Sequence, residues 1–173
     1  LLFFGLAIGQ IFFGPLSDKT GRKPAIYLGY ALYISGALLS VFSVNFPMML
    51  AGRLLQGVGI SAPRSVSLAL VRDRFEGRAM ARVMSFVMTV FILVPMIAPS
   101  FGQVILLFSS WRAVFVALVL MALITLVWFA LRIPETLEPA RRAPFKIGRI
   151  AKAMLEVLRM RVALGYTISA GLV

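Results

Sequence analysis

Gly14-Pro-Leu-Ser-Asp18-Lys-Thr-Gly21-Arg22-Lys23-Pro24 is the stretch around which the rest of the chain is ordered. It is a short charged hinge between two apolar runs, each long enough for a membrane segment. The Gly-Pro pair ends the first run and allows close helix contact. Asp18 then stands at the membrane exit, Gly21 makes the turn, and Arg22-Lys23-Pro24 opens the next helix.

Composition points the same way. Hydrophobic residues make up 61% of the 173 positions, and mean hydropathy is +0.97. The charged residues gather in blocks separated by apolar runs of about 20 residues, the length that crosses a bilayer core. Backbone groups in lipid must bond within their own segment, so these runs are helices. The expected architecture is an all-α, polytopic transmembrane bundle with spans at 1–16, 25–44, 47–70, 80–107 and 111–131, and a further span opening near 162. Too little chain remains for a soluble domain of ordinary size. Leu1 opens within one apolar run and Val173 stops within another, so the chain reads as a fragment of a longer protein.

The formal net charge of +12 could suggest nucleic acid, but a nucleic-acid binder needs its basic residues on a soluble surface with stacking groups. Here they sit in alternate loops. Lys19, Arg22 and Lys23 share the first loop, and Arg72, Arg74, Arg78 and Arg82 the third. The connector 132–161 carries Arg132, Arg141, Arg142, Lys146, Arg149, Lys152, Arg159 and Arg161. The turn at Asn45-Phe46-Pro47 carries no charge, and Ser109-Ser110-Trp111-Arg112 carries one. The positive-inside rule places the basic loops in the cytoplasm, so residues 1–16 enter from outside. Cys and His are both absent, which excludes disulfides, thiolate or imidazole metal sites and Cys/His catalysis; no metal or cofactor is expected. No nucleophile–base constellation is present, and an enzyme is not expected.

Three domains follow: a five-span bundle over 1–131, a cytoplasmic connector over 132–161, and the start of a second bundle over 162–173. From Phe145 the connector turns amphipathic. Phe145, Ile147, Ile150, Met154, Val157 and Leu158 lie on one side, with Lys146, Arg149, Lys152, Glu156 and Arg159 largely opposite. That pattern suits a helix lying on an anionic inner leaflet, or equally one packed against its own bundle.

Charge within the spans carries the functional reading. Arg53 and Arg64 are eleven residues apart, about three turns, so they share one helix face ~16 Å apart with Gly57 and Ile60 between them. Arginine at that depth is tolerated where water or solute reaches it. The plainer reading of Arg53 is a side chain snorkelling to the outer interface. Arg22 can reach a carboxylate on another span, with Asp73 the obvious partner, and Asp18 can cap the start of a neighbouring helix. An ion pair there would hold in one conformation and break in another; the plainer reading is a basic loop that fixes topology. Gln10 is a polar group in an apolar run and is expected to face a cavity. Pro95 and Pro99 remove backbone donors on one side of their span, and Gly102 allows another helix to approach. Tyr30, Tyr33, Phe86 and Phe91, with Met84 and Met88, could line a broad apolar pocket.

The hinge resembles the loop between the second and third spans of the major facilitator superfamily, G-x-L-x-D-x-x-G-R-K/R, here Gly14, Leu16, Asp18, Gly21, Arg22 and Lys23. Arg53, Gln56 and Gly57 resemble the superfamily's fourth-span R-x-x-Q-G. Pro99 and Gly102 resemble the fifth-span motif of its antiporter branches, G-x-x-x-G-P-x-x-G-G, with Val94, Ala98 and Gln103 departing from the glycines. An Ala-Pro-x-x-Gly version is similar to the bicyclomycin/chloramphenicol-resistance (Bcr/CflA) branch. Trp111-Arg112 and Pro134-Glu135-Thr136-Leu137 also match, as an interfacial anchor and a helix stop.

The resemblance implies spans two to seven of a twelve-helix fold in a bacterial inner membrane. It further implies export of amphipathic small molecules in exchange for protons by alternating access. Gly14, Asp18, Gly21, Arg22, Lys23 and Asp73 would then form the switch, and Arg53, Gln56, Gly57, Arg64 and Gln10 the coupling and substrate cavity. The partners implied are a small-molecule substrate, protons and the lipid bilayer, with a monomer expected. None of the acids Asp18, Asp73, Glu76, Glu135, Glu138 and Glu156 lies within a span, so the protonatable carboxylate would have to come from elsewhere in the protein. Without one, a uniporter or an anion exchanger using Arg53 and Arg64 is the alternative. A non-transporting scaffold subunit is the other.

Overall fold

A computed structural model describes residues 1–137 together with Gly148 and Met160. The amphipathic helix expected from Phe145 and the segment 162–173 lie outside the described residues. Five helices follow one another: α1 Leu2–Thr20, α2 Arg22–Val41, α3 Phe46–Arg74, α4 Gly77–Phe108 and α5 Trp111–Arg132. No strand occurs among the described residues. Helices α2 to α5 are long and apolar enough to cross a membrane, and α1, with 19 residues, packs among them.

Each helix lies where an apolar run was expected, but most extend several residues into the charged segments. The first loop shrinks to Gly21, whose φ of 106° suits a residue without a Cβ. The third shrinks to Phe75-Glu76. A helix continued past the membrane satisfies its own backbone bonds, so polar flanks extend helices readily. On the outer side, Asn45 caps α3, its Oδ1 accepting from the Met48 N–H at 2.9 Å. Arg112, stacked on the Trp111 ring, donates to the carbonyls of Val41 and Ser43, both at 3.1 Å, and so closes the C-terminal end of α2. Trp111-Arg112 therefore ties two helices together.

Helix α3 is the central element, in contact with α1 on one side and α2 on the other. Gly5 and Gly9 of α1 meet Leu54, Val58 and Ser61 in ascending order, so α1 and α3 run parallel. Gly29 and Gly36 of α2 meet Gly59 and Gly52 in reversed order, so that pair is antiparallel. A Cβ on Gly59 would lie 2.7 Å from the Gly29 carbonyl oxygen and would also strike the Tyr33 backbone. Small residues on both partners thus let the backbones touch, the usual way helices associate where lipid supplies no hydrophobic drive. The buried core gathers Phe13, Ala25, Ile26, Ala62, Val66 and Phe129 from α1, α2, α3 and α5.

Helix α4 stands apart. It touches only α3 and α5 to any extent, and none of its residues is buried. The helix runs unbroken through Pro95 and Pro99, although the missing N–H groups leave the Phe91 and Pro95 carbonyls without helical donors. The close approach expected at Gly102 does not occur among the described residues, because nothing lies within 4 Å of where its Cβ would be. The same holds at Gly14. In both cases no described helix crosses that face.

Candidate functional site: a charged knot and the cavity above it

The cytoplasmic ends of four helices meet at Arg22. Its guanidinium donates to Asp18 Oδ1 at 2.7 Å, to Ser17 Oγ at 2.8 Å and to Asp73 Oδ2 at 2.9 Å. Asp18 belongs to α1 and Asp73 to α3, so one side chain on α2 bridges both neighbours. The planar fork of arginine permits this, since it presents several donors in fixed directions. Ser17 passes the connection on by donating to the Gly14 carbonyl at 2.8 Å. The fourth helix joins through Glu135, just beyond α5, whose carboxylate accepts from the backbone N–H groups of Arg22 at 2.9 Å and Lys23 at 3.0 Å. Lys23 answers by donating Nζ to the Ala130 carbonyl, 3.2 Å away in the last turn of α5.

Two expectations change here. Asp18 does not cap a neighbouring helix; it is occupied by Arg22, and the start of α2 is closed by Glu135 instead. The reason is geometric. Gly21 precedes α2 and has no side chain to accept from its orphan N–H groups, so an acceptor must arrive from another element. Pro134-Glu135 is therefore more than a helix stop. The signal was available in the sequence as an acid just past a cytoplasmic helix end, beside a helix start lacking Ser, Thr, Asn or Asp.

Burial pushes the Glu135 carboxyl upward, but the N–H groups of Leu137, Arg22, Lys23 and Thr136 outweigh it and hold the carboxyl below its ordinary value. A depressed carboxylate stabilises fully above its unfolded value, near 4.3, and loses that contribution as pH falls through the lowered folded value. Glu135→Gln is therefore expected to cost about 1 kcal/mol at neutral pH, a modest figure because the site is solvent-accessible. The gap to wild type should close on acidification below pH 4. Thermal unfolding of the full-length protein across pH 3–7 checks this, and a gap independent of pH would refute it.

Above the knot a cavity of ≈ 560 Å³ opens among all five helices. Tyr30 and Tyr33 from α2, Phe91 from α4, and Ile60, Pro63, Arg64 and Ser67 from α3 line it, with Leu2, Phe3 and Leu6 of α1 and Leu118, Met121, Ala122 and Thr125 of α5 closing the walls. Its volume is that of a small-molecule site, mostly apolar with a few polar groups. Of the expected aromatic lining, Tyr30, Tyr33 and Phe91 are present, while Phe86, Met84 and Met88 stand outside it.

The expected cavity residues divide. Arg64 lines the cavity, and no hydrogen bond or ion pair reaches its guanidinium from the described residues. Arg53 shares its helix face but stands outside the lining, its guanidinium 4.4 Å from the centre of the Phe115 ring of α5. That is cation–π distance. Gln56 and Gly57 do not line the cavity either. Gln56 is 1% exposed, wedged against Gly36, and neither atom of its amide finds a partner among the described residues. Gly57 is pressed against the Leu2 backbone. Both lie on faces of α3 that α1 and α2 cover, whereas Ile60, Pro63, Arg64 and Ser67 face the cavity. Gln10 is exposed about two turns along α1 from Phe3 and is likewise absent from the lining. No cluster of potential metal ligands occurs among the described residues.

A model of the major facilitator superfamily matches residues 1–173. The chain is 36% identical over 171 residues to an uncharacterized MFS-type transporter, YdgK, of Bacillus subtilis, covering 98% of this chain and 42% of that protein. It is 35% identical to a bicyclomycin resistance protein homolog of Haemophilus influenzae, covering 96% and 42%. It is 34% identical to the multidrug resistance protein MdtL of Salmonella heidelberg, covering 86% and 38%. The chain thus spans about two fifths of the length of these relatives. A bundle of long apolar helices clasped at its basic, cytoplasmic end, together with a family match over its whole length, makes this chain a member of the major facilitator superfamily, a multi-pass protein of the bacterial inner membrane.

Proposed function

We propose that the chain forms part of an exporter that moves amphipathic small molecules out of the cell in exchange for protons, by alternating access. The observation that carries this reading is the pairing of Arg22 with acids on two different helices, at the cytoplasmic rim of a bundle that holds a five-helix cavity. A bundle that only had to stay assembled could be held by packing. A bridge of charge-assisted bonds at the cytoplasmic rim is strong when aligned and lost after a small displacement, as a two-position gate requires. Gly14, Asp18, Gly21, Arg22, Lys23 and Asp73 form this switch, with Glu135 holding α2 in register. The relatives named for bicyclomycin and multidrug resistance support a drug-like cargo.

Arg53 is the proton-coupling residue in this reading. Its charge sits within a span, stacked on Phe115 and free of any carboxylate among the described residues, so its field is available to a carboxylate that loses and regains a proton. Pro95 and Pro99 give α4 the backbone freedom to flex as the cavity changes sides. The protein works as a monomer, with no cofactor.

The test uses everted vesicles holding the full-length protein under an imposed pH gradient, followed with a pH-sensitive dye. Adding bicyclomycin should release protons through the wild-type protein. Arg53→Ala should lower that flux by about tenfold or more, the loss of one charge-assisted interaction, at unchanged membrane level. Unaltered flux would remove Arg53 from the coupling role. Substrate movement without proton flux would replace antiport by uniport.

A further inference from the structure

We infer that the cavity is charge-selective, and that its preferred occupant is an aromatic amphipathic molecule carrying a single negative charge, held at Arg64. The inference rests on reading the cavity as the substrate site, and adds the class of substrate that the site takes.

Three observations carry it. The first is that Arg64 is the only formally charged side chain in the lining; no carboxylate borders the cavity among the described residues. The second is that its guanidinium is uncommitted. The guanidinium of Arg22 is engaged by Asp18, Ser17 and Asp73, that of Arg112 by two carbonyls, and that of Arg53 lies over the Phe115 ring, whereas no donor of Arg64 is taken by a partner among the described residues. The third is the company it keeps. Tyr30, Tyr33 and Phe91 offer flat apolar faces, and the tyrosine hydroxyls and Ser67 add donors on the same wall.

Arg64 is itself exposed, but the walls beside it are mostly apolar, and a charge next to low-dielectric walls is screened less than one in bulk solvent. A carboxylate or sulfonate can accept two of its N–H groups side by side, which fixes the orientation of the occupant while the ring system fills the apolar wall. A cation of the same skeleton meets repulsion from Arg64 and finds no compensating acid among the described lining residues. The expected order of binding is anion, then neutral molecule, then cation, with about tenfold or more between the first and the last.

The experiment uses the purified full-length protein and three fluorescent probes that share one dansyl ring system: dansylglycine (anionic), dansylamide (neutral) and dansylcadaverine (cationic). Dansyl emission rises on entering an apolar site, so affinity is read directly by titration. Wild type should bind dansylglycine most tightly and dansylcadaverine least. Arg64→Ala should weaken dansylglycine by about tenfold while leaving dansylamide within about twofold. Arg64→Lys should restore part of the preference, since it keeps the charge but not the fork. A protein that binds none of the probes, binds the cation as tightly as the anion, or loses all three equally in Arg64→Ala overturns the inference. A parallel assay of pH-driven efflux separates the two levels. Charge order without efflux would sink the exporter reading and leave the selective cavity standing; efflux without charge order would do the reverse.

Discussion

Alanine at Gly59 is expected to destabilise the full-length protein by about 1 kcal/mol net, although alanine is the better helix former. Two effects oppose each other at this position. Removing a glycine from a helix interior gains about 1 kcal/mol of propensity. Against it, the new methyl would lie 2.7 Å from the Gly29 carbonyl oxygen and strike the Tyr33 backbone, and backbone cannot rotate away as a flexible side chain can. Overpacking of this kind costs about 1–3 kcal/mol, and here it also separates the most extensively packed helix pair in the bundle. The steric term wins. Gly102→Ala is the matched control, since open space surrounds that position and only the propensity gain remains. Thermal unfolding in detergent should rank Gly59→Ala below wild type and Gly102→Ala at or above it. If Gly59→Ala unfolded no earlier than wild type, the backbone contact between α2 and α3 would be wrong.

The second large effect is the coupling between Arg22 and Asp73. Arg22 makes two ion pairs of similar length, 2.7 Å to Asp18 and 2.9 Å to Asp73, but their surroundings differ. The Asp18 side chain is 50% exposed and Asp73 25%, against 9% for Arg22 itself. Exposed pairs at i and i+4 contribute about 0.3–0.5 kcal/mol, whereas partly buried, hydrogen-bonded pairs contribute more. Double-mutant cycles should therefore give a coupling of about 1–2 kcal/mol for Arg22 with Asp73 and below about 0.5 kcal/mol for Arg22 with Asp18. Equal couplings, or a larger one for Asp18, would show that solvent exposure does not rank these pairs. In the proposed exporter, Arg22→Ala and Asp18→Asn should each impair export at normal membrane levels. Normal export by either would detach the knot from the transport cycle.

How much of this could be read along the chain depended on the range of the interaction concerned. The pairing of Arg22 with Asp73 was legible, because both lie at cytoplasmic helix ends and few acids compete. The place of Glu135 in the knot is not legible in the sequence, since it lies 113 residues from Arg22 and a helix stop accounts for it locally. The two intramembrane arginines were placed on one face by spacing, yet their environments diverge. Phe115 reaches Arg53, while the stripe holding Arg64 stays open to the cavity. Gln56 and Gly57 looked like cavity residues from their motif, but small residues occur all round α3, so no pattern marked the faces that α1 and α2 would cover.

Sequence by itself determined the five described helices, the gathering of basic side chains at one end of the bundle and the glycine at the first turn. These follow from hydropathy, loop charge and backbone sterics, each set within about 20 residues of chain. Only the tertiary structure decided which arginine meets the cavity, which acid closes α2 and which glycines touch another backbone. Those depend on how helices separated by many residues rotate about their axes to bury small side chains against one another, and no local pattern encodes that rotation.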